Sequence, residues 1–582
     1  MNQWHPSAQE YWLKQNYDQV IKIYEEIINN NTGEITDYFY LGLAYLMKGE
    51  IDIAQSIWMS VLLDIDNFDL EFNNLLTILD QQGFNQIQKG TLESALIIYQ
   101  NLEDLLSNRE ENKPEYAYYY WRIGLIYTIH DKLPLAESCF LQAIDIAQVK
   151  EAYNELGGIY FNAGLMEKTI EVYRQQIKAH PNYFASHVNL IASLSKFGNI
   201  KEAIEAASSA QKQFPDDLLW TIRKHLILPS LYQNQEEITI YKNRFIEGLN
   251  IVIQEAEKLD LENPEIKKKA LNALVNNINF ELAYQCFNHK DLQQKYGNLV
   301  YKIMSANYPQ WIQPKTKKSL KSKIRVGYVS GCMCEHVVSK LTHSWLVHHD
   351  RDQFEIYSYY IRDKYDQITK QYEQNSHKFY HISSFEPLCQ QISEDDLDVL
   401  VFVEIGMFAT MTILASLRFA PVQCTTWAHP ETSGLSNIDY FLSSDLMEPE
   451  NGQEHYSEKL IRLPNLGICY PKPPIPELSR TRDFFDLPED AIVYFCSQSI
   501  FKYLPQHDYI LATIAKKVPQ SKFLFLTRPN PNLANQFKKR LAISFRQLEL
   551  NVDDYCLFLP PLIRQEYLNL NFVSDVFLDS LG

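Results

Sequence analysis

Along residues 323–345, KIRVGYVSGCMCEHVVSKLTHSW, the apolar positions change their period. Ile324, Val326, Tyr328 and Val329 form a compact run of strand length, which Ser330 and Gly331 interrupt. From His336 onward Val337, Val338, Leu341, Trp345 and Leu346 recur at helical spacing. A buried strand that enters a helix through a small-residue loop predicts the first unit of a nucleotide-binding α/β domain. Further strand-length runs follow at 354–361, 398–405, 424–428, 439–445 and 459–464, with helical stretches between the first few. The alternation restarts at 491–497, with a helix near 506–517, a strand at 522–527, and a long helix to about 549. A strand at 555–560, a helix near 563–573 and a strand at 575–580 complete it. The Pro-rich break YPKPPIPELSR, 470–480, separates the two groups. Strands alternating with helices predict parallel sheets, hence two Rossmann-like domains, 323–475 and 484–582, with a ligand cleft outside the carboxyl ends of their strands.

The first part of the chain has another rhythm. Tyr38, Leu41, Gly42, Tyr45, Ala54 and Trp58 form one unit; Tyr120, Ile123, Gly124, Tyr127, Ala136, Phe140 and Ala143 form a second. Tyr153, Leu156, Gly157, Tyr160, Tyr173 and Pro181 form a third, and His187, Leu190, Leu194, Ala203, Ala210 and Pro215 a fourth. Weaker copies sit at Val20/Tyr24 and Ala95/Tyr99, and the period is near 34 residues. The pattern resembles the tetratricopeptide (TPR) repeat. Small residues let paired helices approach closely while aromatics fill the gap to the next unit, so units stack into a superhelix over 1–217 with a concave groove. That groove is expected to hold a protein or peptide, or to serve as a spacer. Residues 218–322 keep helical patterning without the repeat and end in KTKKSLKSK, 315–323, read as a solvated joint rather than a nucleic-acid contact.

Composition narrows the classes. At 582 residues with 46% hydrophobic and 22% charged positions, several packed domains are expected and wholesale disorder is excluded. A net charge of −18 argues against a general nucleic-acid binder. The nine cysteines are scattered, which suits a reducing compartment. MNQWHPSAQEYW has no signal-peptide pattern, and the apolar run 399–411 contains Glu404 and is too short for a bilayer. A cytoplasmic protein without membrane contact is the expectation.

A cleft between two such domains suits a nucleotide-sugar. Transfer of the sugar needs cations or helix N-termini near the departing diphosphate, and a group to orient or deprotonate the attacking hydroxyl. His336, at the start of the first helix, is a candidate base or sugar-positioning group, or simply a helix cap. Lys502 follows the strand 491–497 where a diphosphate would lie, and Arg564 opens a helix on the same side. His429 and Pro430 fall in a strand-to-loop turn at the cleft edge. Cys332 and Cys334 form only a C-x-C without a second pair, and neither a DxD-type metal motif nor a P-loop or G-x-G-x-x-G is present. No metal or cofactor is expected, and cationic side chains replace one.

TPR units, then KIRVGYVSGCMCEH, then RFAPVQCTTWAHPETSGLSNIDYFLSSDLMEPENGQEHYSEKLIRLP resemble the O-GlcNAc transferase/SPINDLY family of glycosyltransferases. The most specific stretch is 418–464, and NFELAYQCFNHKDLQQKYG, 279–297, is similar to bacterial members with short TPR arrays. The resemblance implies an α-helical TPR superhelix followed by a GT-B-type pair of Rossmann-like domains, and metal-independent, inverting transfer from a nucleotide-sugar to protein Ser/Thr. It implies that His336 is the family's cleft histidine, that Gln498 and Lys502 form its Q-x-x-x-K donor element, that Arg564 lies near the base, and that Tyr567 stands where some members carry a nucleotide-contacting His. Where the family has Asp-Phe before the histidine, this chain has Cys332-Met333. The family continues beyond DVFLDS with a Gly-rich, Thr-Thr-containing loop, so a chain stopping at Gly582 is expected to have an incomplete second domain and weak activity. UDP-GlcNAc is the expected donor and proteins the acceptors. GDP-fucose, UDP-glucose with Asn acceptors, and a non-catalytic TPR scaffold are the alternatives.

Overall fold

A computed structural model describes residues 4–30, 32–109, 113–316, 322–469, 472, 475, 477–527 and 531–580. The chain divides into two compact units, residues 1–190 and 191–582. Five helix pairs build the first: Pro6–Leu13 with Tyr17–Asn29, Ile35–Lys48 with Ile51–Leu63, Phe68–Gln88 with Leu92–Ser107, Tyr116–Ile129 with Leu133–Ala147, and Lys150–Asn162 with Met166–Ala179.

Each of the last four pairs closes on one contact. A Cβ added at Gly42, Gly83, Gly124 or Gly157 would lie 2.2 Å from Trp58, 2.6 Å from Tyr99, 2.6 Å from Phe140 or 2.5 Å from Tyr173. The aromatic ring of the second helix therefore rests on bare backbone of the first, always sixteen residues further on. The glycines themselves are 41, 41 and 33 residues apart, so a uniform period near 34 fits only the last interval. Helix Phe68–Gln88, with 21 residues, takes up part of the excess. That length is why Gly83 with Tyr99 reads only as a weak copy in sequence. Successive pairs are tied by a recurring tyrosine: Tyr45 donates to Glu25 at 2.7 Å, Tyr127 to Glu103, and Tyr160 to Glu137 at 2.5 Å.

The second unit begins inside helix Phe184–Phe197. Helices Ile200–Gln213, Leu218–Leu226, Gln235–Glu257, Pro264–Val275 and Lys290–Asn307 lead to two sheets. Residues 317–321 of the basic joint and 470, 471, 473, 474 and 476 of the Pro-rich break lie outside the described residues. The first sheet contains β1 (Ile324–Ser330), β2 (Phe354–Tyr360), β3 (Lys378–His381), β4 (Val399–Phe402), β5 (Val422–Thr426), β6 (Tyr440–Ser444) and β7 (Lys459–Leu463). All are parallel, in the order β3-β2-β1-β4-β5-β6-β7. The strand β3 escapes the sequence pattern because KFYH is short and has polar ends. The second sheet contains β8 (Ile492–Cys496), β9 (Ser521–Leu526), β10 (Cys556–Leu559) and β11 (Val576–Phe577), parallel in the order β10-β9-β8-β11. Chain order reverses between β1 and β4 in one sheet and between β8 and β11 in the other, which opens the crevice where doubly wound sheets bind ligands. Among the described residues no helix is long and apolar enough to cross a membrane.

Gly124→Ala is expected to cost about 1–3 kcal/mol through overpacking against Phe140. Gly158→Ala, in the same type of helix with open space around it, is expected to gain up to about 1 kcal/mol of helix propensity. Urea unfolding of both variants checks this, and equal effects at the two positions would contradict the ring-on-backbone account.

Candidate functional site

At the reversal point of the first sheet, Glu404 follows β4 and is fully buried. Ser330 Oγ, at the end of β1, lies 2.9 Å from one of its oxygens and 3.1 Å from the other, and the Gly331 N–H donates to it as well. Burial pushes the carboxyl up to about 7, while the Gly331 and Ser330 donors pull it down. Ser330 Oγ also accepts the Cys332 N–H at 2.9 Å. The loop that departs from β1 is therefore held without the Asp-Phe pair. Cys332 packs with Val338 and Val403, and Met333 with Leu346, Ile356 and Tyr372.

That loop delivers His336 to the start of helix Val337–Val347. The half-buried ring accepts the Val338 N–H on Nδ1 at 3.2 Å. An accepting Nδ1 carries no proton, so the neutral ring carries its proton on Nε2. Burial first, then Arg362, Lys364 and Lys340, keep its pKa below the ordinary imidazole value. His336 is thus both the helix cap and a neutral Nε2–H donor.

Across the crevice, the carboxyl end of β8 carries Gln498 and Lys502. Lys502 Nζ donates to Gln498 Oε1 at 3.0 Å, and Gln498 Nε2 donates to Asp579 Oδ1 at 2.7 Å. A cavity of about 330 Å³ opens beside them, lined by Gln498, Phe501, Thr527, Leu533 and, from the helical region, Ser230 and Leu231. Tyr567 lies in helix Arg564–Val573 with its ring against Phe495 and its hydroxyl 3.4 Å from Ser497 Oγ. Arg564 opens that helix and reaches across to Glu335, the neighbour of His336, at 3.3 Å. The structure therefore brings Gln498, Lys502 and Tyr567 together at one strand end, and joins the His336 loop to them through Glu335 and Arg564.

His429 is placed differently. It is 3% exposed, stacked on Phe280 with ring centroids 5.4 Å apart, and its Cδ2 and Nε2 lie close against Gly406, whose missing Cβ leaves room for the ring. Burial lowers its pKa to about 4, so it is neutral. Pro430 beside it is exposed. Phe280 in turn meets Phe501 edge-on at 5.9 Å, so aromatic packing links the His429 ring to the loop after β8.

Sequence reasoning missed two supports. Arg540, 3% exposed, pairs with Asp508 at 2.8 and 2.9 Å and donates to the carbonyls of Tyr503 at 2.7 Å and Tyr232 at 2.8 Å. It pins the residue after Lys502 to the helical region, and no local pattern signals a partner 32 residues away. The second is Asp579, which reads in sequence only as the end of a strand. Meanwhile the most recognisable stretch, 418–464, is a frame. Arg418 grips Asp439 at 2.9 and 3.1 Å, Asp439 accepts the Gln423 N–H at 2.8 Å, and the Gln423 amide bonds the backbone at 419, 417 and 437. Buried Glu458 accepts Thr432 Oγ1 at 2.6 Å, the Ser433 N–H at 2.8 Å and the Ser433 hydroxyl. Gly434, at φ +68°, lets helix Lys290–Asn307 touch backbone to backbone at Gly297. No cluster of three or more His, Cys, Asp or Glu side chains suited to a metal occurs among the described residues.

Comparison with known proteins fits this geometry. Residues 278–468 match glycosyl transferase family 41. The chain is similar to SPINDLY of Solanum lycopersicum, a probable UDP-N-acetylglucosamine–peptide N-acetylglucosaminyltransferase, at 25% identity over 280 residues, covering 47% of this chain and 30% of the relative. SEC of Arabidopsis thaliana, described in the same words, is 24% identical over 270 residues, 44% of this chain and 27% of that one. The match thus spans less than a third of the length of these two curated relatives. An O-GlcNAc transferase mutant of Thermobaculum terrenum has the same fold, with a TM-score of 0.56 at 18% identity over 80% of this chain and 78% of that chain.

Because folding raises the Glu404 pKa, its contribution to stability is full below the ordinary carboxyl value of 4.5 and is lost as pH rises through about 7. Relative to Glu404→Gln, the unmodified protein is expected to lose on the order of 3 kcal/mol between those limits. Urea midpoints of both proteins at pH 5 and pH 8 check this, and a pH-independent difference would rule it out.

Proposed function

The chain carries a glycosyltransferase family 41 segment over residues 278–468, and from that premise we propose that it transfers N-acetylglucosamine from UDP-GlcNAc to Ser or Thr hydroxyls of proteins. In this reading residues 1–217 present the acceptor, 218–322 form an adaptor, and 323–475 and 484–582 are the two lobes of a GT-B enzyme. The observation that carries the proposal is the pairing of Lys502 with the neutral amide of Gln498, a residue that lines the cavity beyond β8. An ammonium held by an amide keeps its whole charge for an anion, whereas one held by a carboxylate does not.

The acceptor oxygen forms a bond to the anomeric carbon as the bond from that carbon to the phosphate oxygen breaks. The electron pair leaves with UDP, whose growing charge Lys502 offsets at the β-phosphate. The base and ribose occupy the cavity between Phe501, Leu533 and Leu231, near Tyr567 and Arg564. His336, as an Nε2–H donor with Nδ1 already engaged, orients the reacting oxygens; in this tautomer it does not take the acceptor proton, which passes to water or to the leaving phosphate. Relatives named as UDP-N-acetylglucosamine–peptide transferases support the choice of donor and acceptor.

Two measurements test the reading. In a thermal-shift titration with UDP, UDP-GlcNAc, UDP-glucose, GDP and GDP-fucose, uridine nucleotides alone are expected to stabilise the protein. A response to guanosine nucleotides alone would indicate fucosyl transfer, a stronger response to UDP-glucose than to UDP-GlcNAc would point to glucosyl transfer, and no response would leave a binding scaffold. Lys502→Ala is expected to lower kcat about 100-fold or more with the melting temperature unchanged. Full turnover by that variant would refute the role given to Lys502.

A further inference from the structure

The residue that gives Gln498 its direction is not on its own strand. The register of β11 against β8 pairs Val576 with Tyr494 and Phe577 with Phe495, and the Leu578 N–H donates to the Phe495 carbonyl at 2.9 Å. This brings Asp579 to the carboxyl end of the sheet beside Ser497 and Gln498. Its Oδ1 accepts Gln498 Nε2 at 2.7 Å and the Ser580 N–H at 2.8 Å.

A primary amide is symmetric in shape and opposite in chemistry at its two ends. An ionised carboxylate only accepts, so the amide must turn its NH₂ towards Asp579 and its oxygen towards Lys502 Nζ, 3.0 Å away. With the amide reversed, two NH₂ protons would face an ammonium. We propose that Asp579 is a positioning residue for the donor diphosphate: it fixes the orientation of the Gln498 amide, and the amide holds Lys502 over the β-phosphate. This rests on the donor-site reading given above. The amide also keeps the carboxylate one residue away from the ammonium, so Lys502 is steered without being neutralised.

The proposal has a sign that a simple charge effect does not. A carboxylate near a diphosphate repels it, so if Asp579 acted only through its charge, removing it would tighten UDP binding. If it acts through Gln498, removing it weakens UDP binding and spares UMP, which has no β-phosphate. The experiment is calorimetric titration of the full chain with UDP and with UMP, for the unmodified protein and for Asp579→Ala, Asp579→Asn, Lys502→Ala and the Asp579→Ala/Lys502→Ala pair. Asp579→Ala is expected to lower the preference for UDP over UMP about 3- to 10-fold with an unchanged melting temperature. Asp579→Asn, whose Oδ1 still accepts from Gln498, is expected to restore most of that preference. The double variant is expected to match Lys502→Ala alone.

Tighter UDP binding by Asp579→Ala, or equal weakening of UDP and UMP, would overturn the positioning role while leaving the donor site in place. Loss of preference in Lys502→Ala with none in Asp579→Ala would do the same. An unchanged preference in Lys502→Ala would overturn the donor-site reading itself, and this role with it.

Discussion

A single buried carboxylate organises the crevice side of the larger sheet. Glu404 stands where chain order turns from β1 to β4, fully buried and with three contacts from Ser330 and Gly331. Leaving such a group unpaired is costly in a protein interior, so the two strand ends must stay together. The same Ser330 hydroxyl receives the Cys332 N–H, and four residues later the chain reaches His336 as a helix cap. The position of the imidazole thus descends from one carboxylate at the reversal point, and the place of its proton from the Val338 N–H that Nδ1 accepts.

The helical region between repeats and sheets takes part in the site instead of merely linking domains. It lends the Tyr232 carbonyl to Arg540, Leu231 to the cavity wall, Phe280 to the stack that joins His429 and Phe501, and Gly297 to a backbone contact with Gly434. His289, buried in the same region, meets Glu431 at 3.0 Å. Helix Pro531–Gln547 completes the ring. Its Asn532 donates to the Phe197 carbonyl at 2.8 Å, Leu533 lies against Gly198, and Arg540 holds the residue that follows Lys502.

What could be read from the sequence was what repeats locally. The change from a two-residue to a helical period located β1 and its helix, and strand–helix alternation implied both parallel sheets. Lys502 was visible because it follows the carboxyl end of a strand, and Gln498 through the Q-x-x-x-K element of the resemblance. Arg540 with Asp508 and Asp579 with Gln498 were not, because each pair is made by strands and helices that only the folded sheet brings side by side. The stretch 418–464 carried the strongest resemblance, yet Gln423, Asp439, Thr432, Ser433 and Glu458 mainly bond to one another and to backbone. A motif that encodes a hydrogen-bonded frame identifies a family as clearly as one that encodes chemistry. His429 illustrates the difference, since a histidine in a loop after a strand suggested an open edge, and Phe280 with Gly406 encloses it.

The repeats keep one interval and relax another. From Gly42 to Trp58, Gly83 to Tyr99, Gly124 to Phe140 and Gly157 to Tyr173 the count never varies, while the distance from one glycine to the next does. Each helix pair is therefore a closed clasp whose own dimensions are immutable, joined to its neighbours by connections free to lengthen. Insertions between clasps leave every ring seated on its backbone, whereas a single residue gained or lost inside one would rotate the ring by about 100° about its helix axis and unseat it.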